Sequence, residues 1–170
     1  MPVDPATFAA ALRQYAAGVC LLTVRDDMDD VGTTVSSVMS VSAHPPLVAV
    51  GLSADGYPAE VLGEVGACGL TVLAAEHAIV ASRFSSAGRP GARHLLESVP
   101  WRRAGDSGAI VLERGLAALD CRLHRAVEAG DHVLALLEVT DVPVLAGGGA
   151  PLLRLRGRYA DAGGGPAGRG

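Results

Sequence analysis

Cysteine is scarce in this sequence. Three thiols stand in 170 residues, at Cys20, Cys68 and Cys121, far apart, odd in number and without C-x-x-C spacing. That excludes a disulfide framework and a paired-cysteine zinc site, and reads as buried, reduced thiols. Charge is also sparse. Charged residues make up 19% of the chain, the formal net charge is −4, and the arginines are scattered without a basic run. A nucleic-acid binder concentrates positive charge to displace counterions, so that class is excluded. No apolar stretch approaches the ~20 residues that cross a bilayer. The N-terminus lacks a basic segment followed by a continuous apolar one. The expectation is a cytoplasmic chain with neither a membrane nor a nucleic-acid partner.

Several catalytic signatures are missing as well. There is no G-x-G-x-x-G and no G-x-x-x-x-G-K-[ST], so neither standard glycine-rich phosphate loop is present. There is no G-x-S-x-G hydrolase elbow and no H-E-x-x-H, and the five histidines are dispersed. No metal is expected.

What is present is a globular chain, 49% apolar and long enough for one domain with its own core. "VDPATFAAALRQYAAG" reads as a helix, with Asp4 as its cap and Pro5 in the first turn. Phe8, Leu12 and Tyr15 share one face, and Gly18 is the expected stop. Strand-like runs follow at 19–24, 47–52 and 68–74. Short helices are expected at 58–65, led by Pro58 and stopped by Gly66, and at 75–84. The segment "SSAGRPGARH" (85–94) is a mobile loop by composition. Two apolar runs around "EAGD" (128–131) form a hairpin signal. Six or seven strands and two or three short helices do not alternate, which disfavours a doubly wound parallel sheet. A mainly β fold, an antiparallel barrel with helical insertions, fits better. The domain is read as 1–160, with a flexible Gly-rich tail at 161–170.

The unusual segment is "TTVSSVMSVSAHPPLVAV". Six of the ten residues from Thr33 to Ser42 carry hydroxyls, interleaved with Val35, Val38, Met39 and Val41. A strand turns successive side chains to opposite faces, so such a segment can present hydroxyls on one side, with Val35, Val38 and Val41 expected to anchor it to the core on the other. Uncharged hydroxyls suit a heteroaromatic ring edge or a phosphate. They suit a solvated strand face equally well. His132, in "AGDHV", lies at a tight turn where a strand starts, and so points from a barrel rim.

In order, "FAAALRQYAAGVCLLTV", "GTTVSSVMSVSAHPPLVAVGL", "CGLTVLAAEHAIVASRF", "AGDHVLALLEV" and "RGRY" resemble the flavin reductase-like, FMN-binding split-barrel family, from Phe8 to Tyr159. The resemblance implies a split-barrel homodimer that uses FMN or FAD, with NAD(P)H as hydride donor. It also implies a separate flavin-dependent monooxygenase that consumes the reduced flavin. By resemblance, the segment from Thr34 to Ser42, including Val35, Ser36, Ser37 and Ser42, holds the flavin ring edge and ribityl chain. Ser53 begins the stretch that reaches the phosphate, with Tyr57 beside it. Arg83 and Phe84 match the helix-end pair near the phosphate. Tyr159 matches a terminal tyrosine, and His132 the catalytic histidine associated with the nicotinamide.

The sequence also departs from the family. Gly56 and Pro58 stand where a Ser-x-Thr pair commonly binds phosphate, Thr71 replaces an asparagine, and Val38 a phenylalanine. The expected consequence is exchangeable flavin. Two alternatives stay open at this point: a non-reductase enzyme of the same fold acting on a small organic substrate, or a non-catalytic flavin-binding or ligand-binding partner protein.

Overall fold

The computed structural model describes residues 2–162. Helix α1 (Pro5–Leu12) starts as the sequence predicts, with the Asp4 carboxylate accepting from the Thr7 N–H at 2.9 Å. It ends early, capped by Arg13, and none of its residues is buried. A short helix draws its stability from packing, and this one has no packed face to extend it. Gly18 is therefore not its stop. It lies in β1 (Ala17–Gly18), opposite Leu153.

The body of the fold is a seven-stranded antiparallel sheet of β2 (Cys20–Val24), β3 (Val31–Val35), β4 (Val38–Ala43), β5 (Pro46–Ser53), β6 (Ala67–Val72), β9 (Ala117–Ala129) and β10 (His132–Asp141). Its order is β3-β2-β6-β9-β10-β5-β4. The two edge strands, β3 and β4, are consecutive in the chain, joined at Ser36–Ser37, and the Gly51 N–H donates to the Ser37 carbonyl at 2.9 Å. The sheet thus curls onto itself, and the hydroxyl-rich segment is the corner that joins its edges. The barrel expectation holds.

Strand alternation divides the core in two. Leu22, Val24, Val35, Val50, Leu52, Leu70 and Leu137 fill the barrel with Val61 and Leu62 of α2 (Tyr57–Val65). On the other side, Val19, Leu21 and Leu73 pack against Val80 and Phe84 of α3 (Ala78–Ser85). Ile110 and Leu112 of β8 (Ile110–Leu112) join them, and β8 pairs with β7 (Trp101–Arg103). So does Leu152 of β11 (Leu152–Leu155), which pairs with β12 (Arg158–Asp161). These four short strands escape a periodicity reading. Gly66 ends α2 at φ +73°, and Gly130 turns the β9–β10 hairpin at φ +68°, both as the sequence implies.

Two expectations need correction. Val41 does not anchor the corner to the core: it is 44% exposed, and Met39 is 58% exposed, because β4 is an edge strand whose outer surface nothing covers. The 85–94 segment is not a free loop. It carries α4 (Ala92–Leu95) and is tied to the β2–β3 connection, with the Ala92 N–H donating to Asp30 O at 2.8 Å and Arg93 gripping Asp29 and Met28. Most of the expected tail lies outside the described residues, and Asp161 still belongs to β12. No helix among the described residues is long and apolar enough to cross a membrane.

Candidate functional site

A cavity of about 580 Å³ opens at one mouth of the barrel. Three segments wall it: residues 26–33 before and along β3, residues 52–59 from the end of β5 into α2, and residues 88–91. Ser53, Gly56, Tyr57 and Pro58 all line it. Gly56 is the α2 N-cap and supplies no side-chain cap. Its own N–H donates to Ser53 O and that of Ala59 to Gly56 O, and Pro58 carries none, so the Tyr57 N–H is the one the first turn leaves for the cavity wall. The Tyr57 hydroxyl is turned to the Asp26 carboxylate at 3.3 Å. Tyr57 is exposed, and Asp26 and nearby Glu60 push its phenol up.

A second, smaller depression of about 130 Å³ lies on the opposite side of β3, bounded by Val19, Thr34, Ser36, Ser85, Arg154 and Tyr159. Tyr159 sits opposite Arg154 on the β11–β12 ladder, with the guanidinium 4.9 Å from its ring centre. The Thr34 hydroxyl already donates to the Ala81 carbonyl at 2.7 Å, which leaves it an acceptor toward any ligand. The alternation of β3 separates the two depressions: Thr33 lines one, Thr34 and Ser36 the other.

The remaining expected residues are placed as follows. Ser37 is exposed at the corner, pressed close to Gly51: a β-carbon at 51 would stand 3.1 Å from the Ser37 β-carbon. Val35 points into the barrel core. Ser42 stands apart at the far end of β4, its hydroxyl accepting from the His44 N–H at 3.2 Å. Arg83 is exposed on α3 and lines neither depression, and the Phe84 ring is fully buried against Gly32. His132 opens β10 at the rim, opposite Ser53, with Nδ1 2.7 Å from the Asp131 carboxylate. That contact holds the Asp131 carboxyl below its usual range.

The sequence reading missed Arg89, which reaches the large cavity from the 88–91 segment. A lone arginine inside a Gly/Pro-rich stretch gives no periodic signal. The cysteines are not candidates for chemistry. Burial pushes the Cys20 thiol up to about 12. The Cys121 side chain, and then burial, raise Cys68, and all three thiols are free and buried.

The arrangement is suited to a flat, polar-edged ring carrying a phosphate. It offers uncharged donors at a corner, and a serine hydroxyl, the Tyr57 N–H and an arginine at a cavity. Residues 12–163 match the flavin reductase like domain. The chain belongs to that family. It is 34% identical to an NADH-dependent FMN reductase of Streptomyces nodosus subsp. asukaensis, covering 89% of this chain and 82% of that protein. It is 35% identical to a flavin reductase of Pseudomonas putida, covering 92% and 89%. Among solved structures, the flavin reductase component of a bacterial two-component tryptophan halogenase superposes with a TM-score of 0.85 at 29% identity, over 93% of this chain and 98% of that one. The NADH:FAD oxidoreductase of Streptomyces globisporus, solved with NAD and FAD fragments, gives 0.82 at 27%, over 94% and 95%.

Proposed function

We propose that this flavin reductase moves hydride from NAD(P)H to an exchangeable FMN or FAD and passes the reduced flavin to a separate monooxygenase. Family membership makes it an NAD(P)H-dependent flavin oxidoreductase, and relatives that are reductase components, such as the one from a nitrophenol monooxygenase of Rhodococcus opacus, support the monooxygenase partner. The observation that carries the reading in this chain is the barrel-mouth cavity, where Ser53 and the uncapped α2 N-terminus meet the β3 segment that leads to the hydroxyl corner.

The residues fit a flavin. Ser36 and Ser37 provide neutral donors and acceptors for a ring edge that presents both. The Ser53 hydroxyl and the Tyr57 N–H at the start of α2 suit a phosphate, which gains from the positive end of the helix dipole. The hydride-accepting ring is what flavin supplies when bound. The chain's own work is positioning. Holding two reactants in register contributes about 7–11 kcal/mol in well-oriented systems. His132, exposed at the rim beside Asp131, is the group we assign to the nicotinamide.

We also infer a cytoplasmic homodimer. Support for the dimer comes from exposed apolar side chains: Phe8 at 56% exposure on α1, Met39 and Val41 on edge strand β4, and Val127 on the outer half of β9. Patches of this kind mark association surfaces. Following the NADH absorbance band with no flavin, then with FMN, FAD or riboflavin, tests the activity. Oxidation that scales with added flavin is expected, and no dependence on any flavin overturns the reading.

A further inference from the structure

We propose that Arg89 clamps the phosphate in this chain, making the anionic contact that a hydroxyl pair at positions 56 and 58 would otherwise make. The inference rests on the flavin reading above and deepens it.

The chain contains no lysine, so all 14 of its permanent side-chain cations are arginines. Among the described residues, Arg89 is the one arginine that lines the large cavity. Its guanidinium is fixed by neutral groups only: Nε and Nη2 donate to the Gly32 carbonyl at 3.1 and 2.8 Å, and Nη1 donates to the Ser86 carbonyl at 3.0 Å. Those bonds use three of its five N–H groups and none of its charge. The acids around the cavity are engaged elsewhere. Asp29 pairs with Arg93 at 3.0 Å, buried Asp30 binds Arg103 and Arg93, and Asp26 accepts from the Tyr57 hydroxyl. Among the described residues this half-buried cation has only carbonyl partners and no counter-anion, and desolvation pulls its pKa down.

Across the cavity stand the Ser53 hydroxyl and the start of the nine-residue helix α2, where the N–H groups of Gly56 and Ala59 are already bonded, Pro58 has none, and that of Tyr57 is left. A phosphate between them would be bound by the guanidinium, the Ser53 hydroxyl and the Tyr57 N–H at once, as charge-assisted bonds. The arginine is also held in advance. The Ala92 N–H is anchored on Asp30 O at 2.8 Å, and Gly91 lies so close to Asp29 that a β-carbon would collide with the carboxylate. A preorganised donor loses little entropy on binding. Arg83, the arginine implied by resemblance, is exposed and lines neither depression.

The phosphate has two possible sources, the flavin and the nicotinamide dinucleotide, and we assign it to the flavin. The test uses the full chain and flavin fluorescence titration with FMN and with riboflavin, which lacks the phosphate. Arg89→Gln should raise the FMN Kd about tenfold or more, the scale of a lost charge-assisted bond, and leave riboflavin binding unchanged. Arg89→Lys should recover part of the loss, and inorganic phosphate should compete with FMN on the wild type but not on Arg89→Gln. Equal losses for FMN and riboflavin would show that Arg89 only packs the loop, and overturn the proposal. So would unchanged FMN affinity with a raised KM for NADH, which moves the phosphate to the dinucleotide. A wild type that binds neither flavin overturns the flavin reading itself, a result distinct from failure of the Arg89 assignment.

Discussion

His132 and Ser53 stand directly opposite each other on the β10–β5 ladder, and one step beyond them the Ala54 N–H donates to the Asp131 carbonyl at 3.0 Å. Opposed residues of an antiparallel pair project from the same face of the sheet. The histidine we assign to the nicotinamide is thus carried by the same ladder position as the serine that lines the phosphate-suited cavity.

That neighbourhood predicts a separation of effects. His132→Ala should lower kcat with NAD(P)H and leave flavin Kd nearly unchanged, whereas Ser53→Ala should raise the Kd for FMN more than for riboflavin. Steady-state kinetics beside fluorescence titration reads both. Parallel loss of flavin binding and melting temperature in His132→Ala would assign that side chain a structural role instead.

The corner offers a second comparison. A hydrogen bond contributes about 0.5–1.5 kcal/mol net, so Ser36→Ala and Ser37→Ala should each weaken flavin binding about threefold to tenfold with little change in Tm. If both variants bind flavin as the wild type does, the corner is a solvated strand face and the ring lies elsewhere.

Val35 and Val41 should respond in opposite ways. Val35 is 6% exposed inside the barrel, and Val41 is 44% exposed on the edge strand. Val35→Ser gives up most of the about 1.5–3 kcal/mol that a buried valine contributes and should lower Tm by several degrees. Val41→Ser should leave the Tm of the isolated chain almost unchanged and weaken the proposed dimer. Denaturation together with light scattering at several protein concentrations checks both outcomes.

Stability should depend on pH through His77. Burial pushes its imidazole below the ordinary value, Glu76 opposes that shift, and Arg114 adds to it. In addition, Nδ1 needs its lone pair to accept the Ala74 N–H at 3.2 Å. The unfolded chain therefore binds the proton more readily than the folded one below about pH 6.5, where imidazole ordinarily titrates. The stabilising contribution of neutral His77 is complete above that value and falls as pH drops toward the depressed folded pKa. His77→Gln should flatten the Tm profile between about pH 7 and 5, measured by thermal melts across that range. An unchanged profile would show that the imidazole does not titrate across the transition.

Local chemistry determined what the sequence could determine alone. The Asp4 cap, the Gly66 stop and the Gly130 turn depend on a few adjacent residues and their backbone preferences, and each stands where the sequence puts it. The ordered motifs carried the family and the barrel. Tertiary structure decided the rest, because burial and long-range pairing are not local. Val41 and Val35 sit in the same run and both on edge strands, yet Val35 turns into the barrel core and Val41 stays exposed on β4. The composition of residues 85–94 reads as loose, and only contacts with residues 28–32, far away in sequence, tie that segment down and bring Arg89 to the cavity. The two sides of β3, with Thr33 at one depression and Thr34 and Ser36 at the other, acquire different roles only once α3 covers one face and the barrel mouth opens on the other.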